Sequence, residues 1–329
     1  MSLVGAAQEL ADTLLYPRAL ETDRLAVVPS DLLDALAEAG LYGLTGPKWA
    51  GGANADFATV CDVVEALSSG CLTTAFLWAQ HLGAVRAASM SDNPPIREWV
   101  APLCSGEIRA GLALGGAVAG PPALVACETG DGWSFGGASP FVSGWGRIDV
   151  AHTAARTDDG RVVWALVDAA ESSTLAVERL ELAALNATAT MRAAFRAHPV
   201  PRDRVTSIVP YREGPTPREV LRIHASLALG VIRRCSLLLG AGPLDAELAA
   251  VRAALDTASI ETMPAARAAA GELAVRAAAR LMVEHGSRSL LLESHAQRLA
   301  REALFVLIYA LRPPVRSALL DLLTQHVVA

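Results

Sequence analysis

The chain has 329 residues, enough for about two domains at roughly 150 residues each. Hydrophobic residues make up 52% and charged residues 19%, which excludes a disordered chain, and the abundance of Ala and Leu favours helices. The net charge of −6 and the lack of any Lys/Arg-rich block speak against a nucleic-acid partner.

The first twenty residues, "MSLVGAAQELADTLLYPRAL", have no basic n-region and do not read as a signal peptide. In "DLLDALAEAGLYGL", Leu32, Leu33, Leu36, Leu41 and Leu44 recur at helical spacing, and Gly40 is a candidate C-cap. "GPKWAGGAN" is a loop. "FATVCDVVEALSSG" gives a second helix, with Phe57, Val60, Val64 and Leu67 on one stripe. "CLTTAFLWAQHLGAVRAASM" is apolar on nearly every side, which predicts a central, buried helix.

From residue 109 the pattern changes. "RAGLALGG", "PALVACETGDGWSFGGASPFVSG", "IDVAHTAARTDDGRVVWALVDA" and "ATATMRAAFRAHPV" read as short strands. "TGDG" and "TDDG" are their turns. The uncharged run "AGLALGGAVAGPPALVAC" reaches the length of a membrane span. Pro121-Pro122 and the glycines break it, so a buried strand-turn-strand is expected. From about residue 207 long Ala/Leu/Arg helical segments return. This order predicts an α+β chain of three parts: a helical domain at 1–108, a β-domain at 109–206 and a helical bundle at 207–329. It is not a βαβ pattern.

The five cysteines, Cys61, Cys71, Cys104, Cys127 and Cys235, are scattered and form no CxxC. They read as buried thiols of a reducing cytoplasm. The seven histidines show no metal-ligand spacing, so no metal site is expected. No GK[ST] follows "GLALGG", and no Gly-x-Ser-x-Gly elbow is present. His81 reads as a satisfied core histidine rather than a catalyst.

The chain resembles the acyl-CoA dehydrogenases. "YPRALETDRLAVVPSDLLDALAEAGLYGLTGPKWAGG" is similar to their opening, through Asp23, Arg24, Gly40, Gly43, Gly51 and Gly52. "WVAPLCSGEIRAGLAL" resembles their entry into the β-domain, and "VPRDRV" the exit from it. "LRIHASLALG" and "HGSRSLLLESHAQRLAREALFVLIY" resemble the C-terminal bundle. The resemblance implies a helical domain, a β-barrel-like middle domain and a C-terminal four-helix bundle. It also implies FAD, an acyl-CoA or acyl-carrier substrate, and a homodimer or homotetramer.

That family removes the α-proton with a glutamate that follows a tyrosine, while the β-hydride moves to the flavin. Here the matching pair is Tyr309 and Ala310, and alanine accepts no proton. The alternative glutamate position, before Arg222, holds Leu221. No catalytic residue is therefore assigned. Tyr309, Ala310 and Arg222 remain as substrate-pocket positions, and Arg222 reads equally as half of a structural ion pair.

The implied flavin contacts are Leu114, Gly115, Phe141, Ser143, Gly286, Ser287 and Arg312, and several are altered. Gly115 replaces a threonine, Pro121 a serine, and Val283 a glutamine. Phe141-Val142-Ser143 stands for Trp-Ile-Thr. The leading expectation is an FAD-dependent oxidoreductase on an acyl thioester, with altered chemistry. A flavin-dependent monooxygenase of the same fold and a non-catalytic subunit that has lost flavin are the alternatives. No membrane association is expected.

Overall fold

The computed structural model describes residues 2–325. Six helices come first: α1 (Leu3–Leu10), α2 (Tyr16–Arg24), α3 (Ser30–Glu38), α4 (Phe57–Gly70), α5 (Leu72–Ser89) and α6 (Arg97–Ser105). Pro17 explains an irregularity between the first two. It has no N–H to offer, and residues Ala11–Leu15 widen into a π-turn closed by Tyr16 N–H on the Ala11 carbonyl. Gly70 fits against this bulge: a Cβ there would meet the Ala11 carbonyl oxygen at 2.7 Å. Asp56 caps α4 by accepting from Thr59 N–H at 2.7 Å. The helix read in "DLLDALAEAGLYGL" forms and stops at its candidate cap. It ends at Glu38, and Gly40 takes φ +73° just beyond. The apolar run of α5 is buried along most of its length.

The middle part is one eight-stranded mixed sheet. Its strands are β1 (Ala110–Ala113), β2 (Leu124–Thr129), β3 (Gly132–Val142), β4 (Val150–Arg156), β5 (Arg161–Asp168), β6 (Leu175–Arg179), β7 (Met191–Pro201) and β8 (Val205–Pro210). The order is β6-β7-β3-β2-β4-β5-β8, with β1 parallel to β4. The path has two ends, so the sheet is open. "TGDG" makes the β2–β3 hairpin, pairing Thr129 with Gly132. The uncharged run holds β1, a loop and β2.

Helices then resume as α7 (Arg218–Leu239), α8 (Pro243–Thr257), α9 (Met263–His285), α10 (His295–Ile308) and α11 (Pro313–Gln325). α7 packs on α9, α10 and α8 and also on α4, so the two helical parts share one apolar core. The Asp23–Arg301 ion pair, 3.0 Å from Oδ1 to Nη1, and the Tyr16–His295 stack at 4.3 Å tie α2 to α10. His81 joins α5, α6 and β1. Its Nε2–H donates to the Leu103 carbonyl at 2.9 Å, and its Nδ1 accepts from Ala110 N–H at 3.0 Å.

All five cysteines are free. Four are buried, but Cys127 is exposed, which corrects the expectation that every thiol is buried. It lies where β2 runs out to its turn, beside the exposed Glu128. Among the described residues no helix is long and apolar enough to cross a membrane, and no cluster of ligating side chains is placed to hold a metal.

Candidate active site

Two groups of implied site residues are built by different parts of the fold. The first is a corner of the sheet. β3 ends with Phe141 in solvent, 63% exposed, and Ser143 follows, buried. Ser143 Oγ is 2.8 Å from Thr190 Oγ1, which is 2.8 Å from Thr188 Oγ1. This hydroxyl chain sits on a strained turn, because Leu185 and Ala189 both take positive φ, 58° and 46°. Such values cost on the order of 1–3 kcal/mol each and persist where the surroundings enforce them. Here Gly144 N–H and Trp145 N–H bond the Thr188 and Ala189 carbonyls and hold the turn.

Leu114 and Gly115 lie nearby, after β1. Leu114 is half-buried and Gly115 buried. The Gly115 carbonyl accepts from Ala123 and Leu124 N–H, so the loop folds back on itself. A Cβ at Gly115 would meet the Ala138 carbonyl oxygen at 2.6 Å, which explains why glycine, not threonine, stands there.

The rest of the loop is held by a residue that the sequence reading missed. Arg156, at the end of β4, donates to the Gly116 carbonyl at 3.0 Å and the Gly120 carbonyl at 2.8 Å, and also to Val118. Its guanidinium lies 3.4 Å from the Tyr211 ring centroid. The available signal was one arginine closing an otherwise uncharged strand. Pro121, at the loop's tip, is exposed.

The second group is a recess between α5, α7, α9 and the α10–α11 link. Tyr309 ends α10, and its ring meets Phe76 of α5 and His224 of α7, each at 4.9 Å, and stacks on Phe305 at 5.4 Å. Gln80, His224, Tyr309, Ala310 and Arg312 are all half-buried, which marks a recess rather than sealed core. Ala310 takes φ +52°. A non-glycine residue there is strained, so the backbone at the expected base position is held by its context.

The electrostatics of the recess are cationic. His224 is pushed down to about 3, first by burial and then by the Arg267 and Arg312 guanidiniums. Its imidazole is neutral and weakly basic at pH 7, and Nδ1 has no partner among the described residues. Burial raises the Tyr309 phenol, while Gln80 and the same two guanidiniums pull it back. Burial lowers Arg267 to about 10, which leaves it charged at neutral pH. His224 was not singled out in the sequence. It lies far from Tyr309 along the chain, and only the packing of α7 on α10 brings them together.

Arg222 is turned elsewhere. It is buried, with Nε 2.8 Å from Asp256 Oδ1 and Nη1 2.6 Å from Ser226 Oγ. Its donors serve the α7–α8 contact. Gly286 and Ser287 are exposed at the end of α9, where Gly286 takes φ +63°.

The sheet corner is where the resemblance would set the edge of a flavin ring. Phe141 is free to stack. Ser139 Oγ, beside Gly115, is a buried polar atom without a partner among the described residues. Leu114, Ser143 and Phe141 would hold the ring.

Comparison with known proteins agrees with this layout. Residues 2–107 match the family described as acyl-CoA dehydrogenase, N-terminal domain. The human mitochondrial short-chain specific acyl-CoA dehydrogenase is 24% identical over 164 residues, 47% of this chain and 39% of that protein. A 3-sulfinopropanoyl-CoA desulfinase of Variovorax paradoxus is 26% identical over 166 residues, 49% of this chain and 42% of that protein. The matched stretch thus spans about two-fifths of these relatives' length. A glutaryl-coenzyme A dehydrogenase solved with glutaryl-CoA superimposes at a TM-score of 0.81 and 18% identity, over 99% of this chain and 94% of that one. That likeness speaks to the fold.

Proposed function

We infer a function from one premise: the chain belongs to the acyl-CoA dehydrogenase family, by its N-terminal domain and by its fold. We propose that it is an FAD-binding oxidoreductase that takes an acyl thioester, on CoA or a carrier, into the recess under Tyr309. It does not begin its reaction with the family's glutamate. The observation that carries this is Ala310 beside a retained aromatic recess. FAD, when bound, supplies a hydride acceptor. The chain's own residues orient the acyl group between Phe76, Tyr309 and His224 and hold no proton acceptor of ordinary strength there. A relative that is a desulfinase on an acyl-CoA supports altered chemistry within this family.

The visible spectrum of the purified protein, before and after adding FAD, is the test. A yellow flavoprotein is expected, with Phe141→Ala weakening FAD binding severalfold. No binding at high micromolar FAD would sink the reading. It would favour a non-catalytic subunit instead, for which the self-closed Gly115 loop and the Ser143–Thr190 bond speak.

We also propose a homodimer or homotetramer built on the C-terminal helices. Val283, Leu290, Leu291 and Leu292 are exposed at the α9–α10 turn, and Leu304 and Ile308 along α10. Apolar surface of this kind marks an interface. Light scattering is expected to give a mass of two or four chains, and Leu304→Asp with Ile308→Asp to shift it toward one. A wild-type monomer at micromolar concentration would refute this. A cytoplasmic location fits the five free thiols.

A further inference from the structure

A buried guanidinium is expensive unless its donors are satisfied by a carboxylate, by carbonyls or by an anion from elsewhere. Five arginines are buried among the described residues. Arg222, Arg234 and Arg298 pair with Asp256, Asp12 and Glu302, and Arg156 is ringed by carbonyls. Arg267 differs. It is 2% exposed, its Nη2 donates to the Val306 carbonyl of α10, and its Nη1 has no partner among the described residues. Gly271, one turn along α9, leaves room for that free nitrogen: a Cβ there would lie 3.1 Å from Nη1.

The charged groups acting on both rings of the recess are Arg267 and Arg312, and no carboxylate joins them. His224 adds an unpartnered Nδ1. Two guanidiniums, a neutral imidazole and a phenol therefore converge beside Ala310, where the resemblance expects a carboxylate. Tyr309, Ala310 and Arg312 each keep part of their surface exposed, so the cluster reaches the outside of the chain.

We propose that this recess is an anion site, and that the acyl group it takes carries a free carboxylate that pairs with Arg267. The identification of the ligand as an acyl thioester rests on the function proposed above; the anion site does not. A dicarboxylic acyl thioester would supply the counter-charge that position 310 lacks, with Arg312 as the second cation. The carboxylate would satisfy a donor left without a partner among the described residues.

Calorimetric titration with succinyl-pantetheine, butyryl-pantetheine and free succinate tests this, since the two thioesters share one chain length. Succinyl-pantetheine is expected to bind at least tenfold more tightly than butyryl-pantetheine. Arg267→Gln is expected to bring the two to the same affinity. If that variant does not fold, Ala310→Glu serves in its place, because it supplies the carboxylate internally and should likewise abolish the preference. Equal affinities in the wild type overturn the anion site and leave the acyl-thioester reading standing. Binding of succinate with neither thioester bound supports the anion site and removes that reading. Binding of none of the three overturns both.

Discussion

Stability is expected to fall steeply as the pH drops from 6.5 to about 4. Two buried histidines and the half-buried His224 are held well below the ordinary imidazole value of 6.5, His81 and His152 at about 4 and His224 at about 3, in each case first by desolvation. His81 shows why. Its Nδ1 accepts from Ala110 N–H, so a proton there would set two donors against each other in a water-free site. Above pH 6.5 the folded and unfolded chains are both neutral at these rings, and the contribution is complete. Between 6.5 and about 4 the unfolded chain takes up protons that the folded chain refuses, so stability is lost as pH falls. Below about 4 for His81 and His152, and below about 3 for His224, the folded rings protonate too, and nothing further is lost from them. Each pKa unit is about 1.4 kcal/mol, so one such histidine removes on the order of 3 kcal/mol across this window. A domain has only about 5–15 kcal/mol to lose. Urea unfolding at pH 7.5 and at pH 5 is expected to show a markedly lower midpoint at pH 5, and His81→Gln a shallower dependence. Equal midpoints at the two values would show that these rings are solvated in the folded chain.

The same three histidines show what a sequence carries and what it does not. His81 is readable because it lies within a helix that is apolar on nearly every side, and a polar ring in such a place is expected to be satisfied internally. The satisfying atoms, Leu103 O and Ala110 N, come from α6 and β1, and no pattern in "AQHLG" names them. The helices and strands were legible for the same local reason, since apolar spacing and turn residues act within a few positions. The site was legible only where one segment holds it. "FVLIYALRPP" places Tyr309, Ala310 and Arg312 together by chain continuity alone. His224, Arg267 and Phe76 reach the same recess from three other helices, through packing that periodicity does not encode. Backbone strain was hidden as well. Glycine announces positive φ, but Leu185, Ala189 and Ala310 do not, and their values are imposed by neighbours.

Ala310→Glu is expected to raise dehydrogenation of a saturated acyl-CoA by the FAD-loaded protein about 10²-fold. A positioned base is worth on the order of 10²–10⁴-fold. The lower end applies here because Arg267 and Arg312, which already depress His224, would hold the new carboxylate ionised and so weaken it as a base. The backbone raises no new obstacle. Ala310 already carries a Cβ at φ +52°, so a longer side chain adds no further left-handed strain. Ala310→Gly separates the two effects. It should gain roughly 1 kcal/mol in urea unfolding by relieving that strain, with no gain in rate. Ala310→Glu combined with Arg267→Gln should then exceed the single variant in rate, with its pH–rate profile displaced to higher pH, because the carboxylate loses a cation that kept its pKa low. Anaerobic bleaching of the flavin by butyryl-CoA measures all three. A flavin-loaded Ala310→Glu that never bleaches would place position 310 away from the acyl group. In that case the recess under Tyr309 would not be where the substrate reacts.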